Sequence, residues 1–207
     1  MGSDRIKAVI FDLGNVLIDF DHIIAARRIS RFCKKTPEEI YGLFFNSKLT
    51  TLFEQGRISP PDFYLKVKEM LRLDLSYEAF VPVWNEIFFL SPKNRLVYNL
   101  AVALRARYSL ALLSNINILH FEYLKKFFPV FDIFGHVFAS CEMGLIKPDA
   151  RIYESILKEL KVLPGEAFYV DDRQELVESA KTLGMRAFVF KDVEGLKKDL
   201  TETGVDI

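Results

Sequence analysis

Cysteine and histidine are scarce in this sequence, and their positions exclude the usual metal and disulfide arrangements. The two cysteines, Cys33 and Cys141, lie far apart and lack the close spacing of zinc ligands. The three histidines, His22, His120 and His136, also form no group along the chain. The cysteines are therefore expected to be reduced thiols, and the protein is expected to be cytoplasmic.

Net charge and long hydrophobic runs are also missing. Lysine plus arginine equals aspartate plus glutamate, at 28 residues each, so no overall field favours nucleic acid or an anionic membrane. The first apolar run, Ala8–Phe11, is short and ends at Asp12, unlike a signal peptide. No run reaches the length of a membrane span. We expect a small-molecule ligand and neither a nucleic acid nor a membrane as partner, and the oligomeric state stays open.

Short apolar runs alternate with amphipathic segments along most of the 207 residues. The runs that predict strands are Ile6–Phe11, Tyr108–Leu113, Ala167–Val170 and Arg186–Phe190, with His136–Ala139 as a weaker example. The segments that predict helices are Asn94–Arg107, Ile118–Phe127, Ala150–Lys161, Gln174–Leu183 and Val193–Thr203. This alternation predicts an α/β fold with a doubly wound parallel sheet, in which a ligand lies beyond the carboxyl ends of the strands.

One stretch interrupts the alternation and predicts a helical insert. From about Asp21 to Leu90 the periodicity is helical, with no convincing strand. Asp21 and Ser59 are expected to be N-caps, and Gly56 is typical of a helix end. The predicted helices are Ile23–Phe32, Pro37–Phe45, Pro60–Leu73 and Tyr77–Phe89.

The insert divides the chain into two predicted units. Residues 1–15 and 91–207 form the core, and residues 16–90 form a cap inserted after the first strand. Because the insert leaves and re-enters at the sheet, it is expected to stand over the strand ends as a lid. Its hinges are expected near residues 16–20 and near Ser91 and Pro92.

Polar residues follow several of the predicted strands. They are Asp12 after the first strand, Ser114 and Asn115 after the second, Asp171 and Asp172 after a later one, and Lys147 before a proline that opens a helix. Each has an ordinary explanation by itself, as a turn residue, a helix cap or a surface lysine. Adjacent carboxylates, however, repel each other unless a cation lies between them, and a hydroxyl beside backbone N–H groups suits a phosphate oxygen. Together these groups predict phosphoryl transfer.

At these residues the sequence resembles the haloacid dehalogenase superfamily, and the resemblance covers nearly the whole chain. The motifs are VIFDLGNV at residues 9–16, LLSN at 112–115, KP at 147–148, and VDD at 170–172 followed by LGM at 183–185. The helical insert lies where the family's helical cap belongs. The opening FDLGNVLIDFD and the cap's FEQGRIS at residues 53–59 are most similar to a bacterial subgroup that includes glucose-1-phosphate phosphatases.

The resemblance implies a Mg²⁺-dependent phosphatase acting on a small phosphomonoester, for which we expect a sugar phosphate such as a hexose 1-phosphate. Asp12 would attack phosphorus and become an aspartyl phosphate. Mg²⁺ would be held by Asp12, the Gly14 carbonyl and Asp172, with Asp171 in support.

The phosphoryl group would be held by three further residues. By resemblance these are Ser114, the backbone of Asn115, and Lys147. Substrate choice would come from the cap, through residues that the sequence does not identify.

One departure from the family pattern concerns proton transfer. Most family phosphatases carry a second aspartate two residues after the nucleophile, where this chain has Gly14. Asp19 and Asp21 lie close in sequence as substitutes, although a helix cap and a loop residue are the ordinary interpretation. His120 is a further candidate, although packing is its ordinary role.

Two other functions compete with the phosphatase. A 2-haloacid dehalogenase would also lack the second aspartate, but it needs no metal and would leave the pair Asp171 and Asp172 unexplained. The other is a phosphate-binding protein with little or no turnover, because Gly14 replaces the acid/base aspartate.

Overall fold

Apolar runs of the chain form a parallel sheet in the computed structural model, which describes residues 5–44 and 47–207. In chain order the strands are β1 (Ala8–Phe11), β2 (Asp19–Phe20), β3 (Phe88–Phe89), β4 (Ser109–Ser114), β5 (His136–Ala139), β6 (Ala167–Asp171) and β7 (Arg186–Val189). Five of them form the main sheet, in the order β5-β4-β1-β6-β7, and every pairing in it is parallel. The predicted fold class is confirmed.

The helices cover both faces of this sheet and build the segment between β2 and β3. They are α1 (His22–Ile29), α2 (Pro37–Phe44), α3 (Lys48–Glu54), α4 (Pro60–Leu71), α5 (Tyr77–Asn85), α6 (Pro92–Leu104), α7 (Ile118–Phe127), α8 (Ser140–Met143), α9 (Ala150–Leu160), α10 (Gln174–Thr182) and α11 (Val193–Glu202). Among these helices of the described chain, none combines the length and apolar composition that a membrane crossing requires.

Strand β1 shows how the sheet is buried on both faces. Val9 and Phe11 belong to one hydrophobic cluster, which includes residues of α6, α7 and α11. Ile10, which points to the opposite face, belongs to a second cluster that includes residues of α9 and α10. The alternation follows from the two-residue period of a strand. It explains why the run has no polar residue before Asp12.

The cap segment has a hydrophobic cluster of its own. Phe53 and Phe63 stack with ring centroids 4.1 Å apart, and Phe63 lies 4.9 Å from Trp84. Phe80 stacks on Trp84 with ring centroids 5.6 Å apart. Buried aromatic rings of this kind supply large apolar area, which a segment of short helices needs in order to be stable.

The prediction that residues 21–90 contain no strand is wrong. Asp19–Phe20 pairs with Phe88–Phe89 as a two-stranded antiparallel ribbon. The segment that leads from the sheet into the cap therefore lies beside the segment that leads back. The predicted helix Tyr77–Phe89 accordingly ends at Asn85. Two adjacent phenylalanines fit either a helix or a strand. The strand forms because Phe88–Phe89 pairs with Asp19–Phe20, which is distant in sequence.

The helix α3 was not predicted, although its ends carry recognisable signals. Ser47 is its N-cap and accepts a hydrogen bond from the Thr50 N–H. Gly56 follows its end with a φ of +65°, so the prediction of a helix end there is confirmed. Asp21 and Ser59 are N-caps as predicted, for α1 and α4. Residue Phe45, the predicted end of the second cap helix, lies outside the described residues.

Candidate active site

A buried lysine lies between two carboxylates at the carboxyl end of the sheet. Lys147 Nζ is 2.6 Å from Asp12 Oδ1 and 2.6 Å from Asp171 Oδ2, and it donates to the Leu113 carbonyl at 3.2 Å. Asp12 follows β1, Asp171 ends β6, and Leu113 lies near the end of β4, on the other side of β1 from β6. The parallel order β4-β1-β6 thus brings residues distant in sequence to one point.

The backbone of Lys147 is fixed by an amide side chain. Asn115 Nδ2 donates to the Lys147 carbonyl at 2.9 Å, and Asn115 Oδ1 accepts from the Lys147 N–H at 2.8 Å. Asn115 therefore acts through its side chain as a positioning residue for Lys147. Ser114, buried at the end of β4, lines the same cavity.

Electrostatics at this cluster are set by burial and by the lysine. Burial raises the pKa of Asp12, and the ion pair with Lys147 opposes that rise. Burial acts to raise the pKa of Asp171, but the charge of Lys147 and the hydrogen bonds from Lys147, Tyr169 and the Arg173 N–H together hold it below its usual value. Burial lowers the pKa of Lys147, but both carboxylates together raise it well above that of a free lysine. Lys147 is therefore a permanent cation.

A third carboxylate completes a potential cation site. One oxygen each of Asp12, Asp171 and Asp172 lie within 4.8 Å of one another. Asn15 Nδ2 donates to Asp172 at 2.8 Å, which links the loop after β1 to the loop after β6. Three carboxylates face a single lysine here, so the donor set fits an additional divalent cation that takes oxygen ligands.

Gly14 lies against an aromatic ring. A Cβ at position 14 would lie 2.7 Å from Phe20 Cε1, whereas the φ of Gly14 is outside the left-handed region. Phe20 is itself packed, with its ring 4.8 Å from His22 and 6.1 Å from Phe88. Space, rather than backbone freedom, makes glycine necessary here.

Neither aspartate near Gly14 in sequence lines the cavity beside Asp12. Asp19 pairs with Lys93 at 2.9 Å and accepts from Asn94 Nδ2 at 3.3 Å. Asp21 caps α1 by accepting from the Ile23 N–H at 2.9 Å. Both side chains therefore have structural partners, and the ordinary interpretation of Asp21 as a helix cap is confirmed.

His120 packs the cap segment against the core. Its ring stacks on Trp84 with centroids 5.5 Å apart, and its Nε2 lies 3.1 Å from the Trp84 carbonyl. Nδ1 lies 3.0 Å from Asn117 Nδ2, whose amide is oriented because Asn117 Oδ1 accepts from the His120 N–H. A carbonyl at one nitrogen and an N–H donor at the other fit neutral imidazole protonated at Nε2. Burial correspondingly lowers the pKa of His120 to about 4.

Together these residues enclose a cavity of about 670 Å³ between the sheet and the cap segment. All seven residues predicted for the site line it. From the sheet side these are Asp12, Gly14, Ser114, Asn115, Lys147, Asp171 and Asp172. From the cap segment they are joined by Phe20, His22, Tyr41, Thr50, Thr51, Glu54 and Phe88.

Glu54 lines the cavity as a carboxyl group of the cap segment that was not among the predicted site residues. It ends α3, and its carbonyl accepts a 2.6 Å hydrogen bond from Ser140 Oγ of the core. Two residues later, a Cβ at Gly56 would lie 2.1 Å from the Cys141 carbonyl oxygen. The backbone at Gly56 therefore lies directly against α8. The motif FEQGRIS contains Glu54, and only the docking of α3 shows that its side chain reaches the cavity.

The profile of haloacid dehalogenase-like hydrolases matches residues 6–184. The chain belongs to this family. The sesquiterpene phosphatase astK of Aspergillus oryzae is 29% identical over 179 residues, which cover 86% of this chain and 87% of the relative. The D-ribitol-5-phosphate phosphatase of Bacteroides thetaiotaomicron is 24% identical over 202 residues, covering 95% and 97%.

A solved structure resembles this one over most of its length. A HAD family enzyme from Bacteroides thetaiotaomicron, in complex with magnesium and inorganic phosphate, superposes with a TM-score of 0.79 and 28% identity. The match covers 90% of this chain and 95% of that chain. These comparisons confirm the predicted superfamily and the predicted enzyme class, a phosphatase. The roles given to individual residues stay predictions.

Proposed function

We propose that this phosphatase hydrolyses a small phosphomonoester, a sugar phosphate such as a hexose 1-phosphate, in a Mg²⁺-dependent reaction through an aspartyl phosphate at Asp12. The observation that carries the proposal is the buried group in which Lys147 Nζ lies 2.6 Å from both Asp12 and Asp171. A carboxylate and a permanent cation at one point of the cavity suit attack on a dianionic phosphoryl group.

The cation fits this cluster as a second source of positive charge. Asp12, Asp172 and the Gly14 carbonyl would hold Mg²⁺, and Asp171 would support them through its bonds to Lys147 and the Arg173 N–H. Mg²⁺, when bound, neutralises charge on the phosphoryl oxygens. The similar Bacteroides enzyme was solved with magnesium and phosphate, which supports the choice of metal.

The residues of the chain then have separate tasks. The Asp12 carboxylate attacks phosphorus, and the ester oxygen departs as the alcohol. Lys147, Ser114 and the Asn115 backbone hold the phosphoryl oxygens while it is transferred. Water then attacks the aspartyl phosphate and releases inorganic phosphate, which restores Asp12.

The lining that the cap segment contributes supports a sugar or polyol as the alcohol part. Aromatic rings of Phe20 and Phe88, which line the cavity, offer flat apolar surfaces for the C–H faces of a sugar. A volume of about 670 Å³ accommodates a hexose phosphate. The relative that acts on D-ribitol 5-phosphate supports this class, whereas the sesquiterpene phosphatase favours a prenyl phosphate as a second candidate.

We also propose that residues 16–90 move as a lid on residues 1–15 and 91–207, with hinges near residues 16–20 and near Ser91 and Pro92. The separate hydrophobic cluster of the cap segment supports this division. The ribbon of β2 and β3 ties the two crossings together, so they would move as one connection.

The test is phosphate release from hexose 1-phosphates, hexose 6-phosphates, pentitol 5-phosphates and farnesyl phosphate, with Mg²⁺ and with excess chelator. We expect Mg²⁺-dependent turnover, highest with a sugar or polyol ester and abolished in Asp12→Asn. Preference for farnesyl phosphate would select the second candidate.

Two results would reject the phosphatase proposal. Halide release from 2-chloropropionate at full rate in chelator would support the dehalogenase. Binding of inorganic phosphate without turnover of any ester, including 4-nitrophenyl phosphate, would support the phosphate-binding protein.

A further inference from the structure

Hydrolysis through an aspartyl phosphate requires two proton transfers. The departing ester oxygen needs a proton, and the water that attacks the phosphoenzyme must lose one. Position 14 offers no side chain, and the ring of Phe20 fills the space that a side chain there would need. The group that moves the proton must therefore come from another part of the cavity.

Most of the titratable groups that line the cavity are already engaged. Asp12 and Asp171 pair with Lys147, and Asp172 accepts from Asn15. Both ring nitrogens of His120 have partners, and burial lowers the pKa of His22 to about 3, too low for a base near neutral pH. Among the described residues that line the cavity, Glu54 is the remaining carboxyl group.

Glu54 is held at the cavity by the core itself. Its backbone carbonyl accepts from Ser140 Oγ at 2.6 Å, and Ser140 Oγ in turn accepts from the Ile116 N–H at 2.9 Å. Gly56 lies against the Cys141 carbonyl, an approach that only glycine permits. The end of α3 is therefore positioned relative to the strand ends rather than only relative to the cap segment.

We propose that Glu54, reaching over the strand ends from the cap segment, is the general acid and base of the phosphatase reaction. This inference rests on the proposed function. Protonated Glu54 gives its proton to the ester oxygen as Asp12 forms its bond to phosphorus and the P–O bond to the alcohol breaks. The Glu54 carboxylate then takes a proton from the water that attacks phosphorus, the bond to Asp12 breaks, and the starting protonation is restored.

The electrostatic setting suits both roles. Burial raises the pKa of Glu54 to about 7, against the opposing charges of Arg173 and Lys147. A group with this pKa is present in both protonation states near neutral pH. The titratable and charged residues of the described chain that share its cavity are Asp12, His22, Tyr41, His120, Lys147, Asp171, Asp172 and Arg173.

The first experiment compares Glu54→Gln with the wild-type protein, both with Mg²⁺. With a hexose phosphate, kcat should fall by about 10²- to 10⁴-fold, with a smaller change in KM. With 4-nitrophenyl phosphate, whose leaving group needs little proton help, rapid mixing of Glu54→Gln should show a burst approaching one equivalent of nitrophenolate, followed by slow release. Wild type should show no such burst.

Three further arms separate chemistry from structure. Glu54→Asp should recover part of kcat, and Glu69→Gln on the exposed face of α4 should match wild type. In wild type, kcat/KM for the hexose phosphate should fall as pH rises through about 7, because the acid loses its proton. This fall in kcat/KM with rising pH should be absent in Glu54→Gln.

The outcomes that overturn the inference are distinct. A change of less than about threefold in kcat, a change confined to KM, or a full burst by wild type would each reject Glu54 as acid and base. Absence of turnover by wild type would overturn the proposed function and this inference with it, whereas normal turnover by Glu54→Gln would overturn this inference alone.

Discussion

The sheet side and the cap side of the cavity are built by different interactions. On the sheet side, charged groups are buried and fixed by short ion pairs, as between Lys147 and Asp171. On the cap side, stacked rings such as Phe53 and Phe63 hold helices together, and Glu54 is the carboxyl group that lines the cavity. The proposed phosphoryl site thus depends on the placement of charges, and the proposed alcohol site depends on how the cap helices dock.

The largest effect that this comparison predicts is on the sheet side. Asp12→Asn removes the proposed nucleophile while keeping the shape of the side chain, so turnover should fall by roughly 10⁴-fold or more. The protein should remain folded, because Lys147 keeps its ion pair with Asp171. Initial rates and circular dichroism measure both effects. Activity above a few per cent of wild type would show that another group attacks phosphorus.

Removing the lysine should affect stability most. Lys147→Met leaves Asp12 and Asp171 buried without their cation, which should lower the free energy of unfolding by about 3–5 kcal/mol in chelator. Urea denaturation measures it. The matched control is Lys181→Met, which breaks an exposed pair with Glu178 and should cost about 0–1 kcal/mol. Equal costs for the two variants would contradict the assignment of Lys147 as the central cation.

Mg²⁺ should stabilise the sheet side and leave the cap side unaffected. At about 100 times its Kd, a cation that binds only the folded protein adds about 2.7 kcal/mol. For a chain of this length we expect a rise in Tm of roughly 5–10 °C. Asp172→Asn should abolish most of this rise, whereas Glu69→Gln should not change it. Scanning calorimetry with Mg²⁺ and with chelator measures the rise in Tm. If Tm rises equally in wild type and in Asp172→Asn, the metal binds elsewhere.

The smallest effect concerns the contact between the two sides. Gly56→Ala places a Cβ against the Cys141 carbonyl at a φ of +65°, so it should destabilise the protein by about 1–3 kcal/mol and raise KM as α3 separates from the core. Gly42→Ala, in α2 with no atom near its Cβ, should instead stabilise by about 0.5–1 kcal/mol. If both substitutions behave alike, the end of α3 does not need its close approach to α8.

The same contrast explains how much the sequence could predict. On the sheet side, each buried strand is a continuous apolar run that stops at a polar residue, so Asp12, Ser114 and Asp171 were found to within one residue of the strand ends. Burial on both faces makes such runs unmistakable. The predicted ends of β4 and β6 are one residue too early, because Ser114 and Asp171 still pair with residues of the neighbouring strands.

The cap side offered weaker signals. Phe88 and Phe89 form a strand of only two residues, and the strand with which it pairs lies about 70 residues earlier in the chain. Glu54 has an ordinary place in an amphipathic helix, and its position at the cavity depends on Gly56 meeting Cys141, which no local pattern encodes. Contacts between segments distant in sequence determine the strand β3 and the position of Glu54, and the hydrophobic periodicity of the sequence does not encode such contacts.

The contact between Gly14 and Phe20 couples the effects of substitutions at these two positions. An aspartate at position 14 would meet a ring held between His22 and Phe88, so Gly14→Asp alone should be deleterious. After Phe20→Ala the same substitution has room, and the two changes should be strongly non-additive in a double-mutant cycle. A carboxylate at position 14 therefore needs a smaller side chain at position 20, so the packing of one ring controls which residue types the loop after β1 can carry.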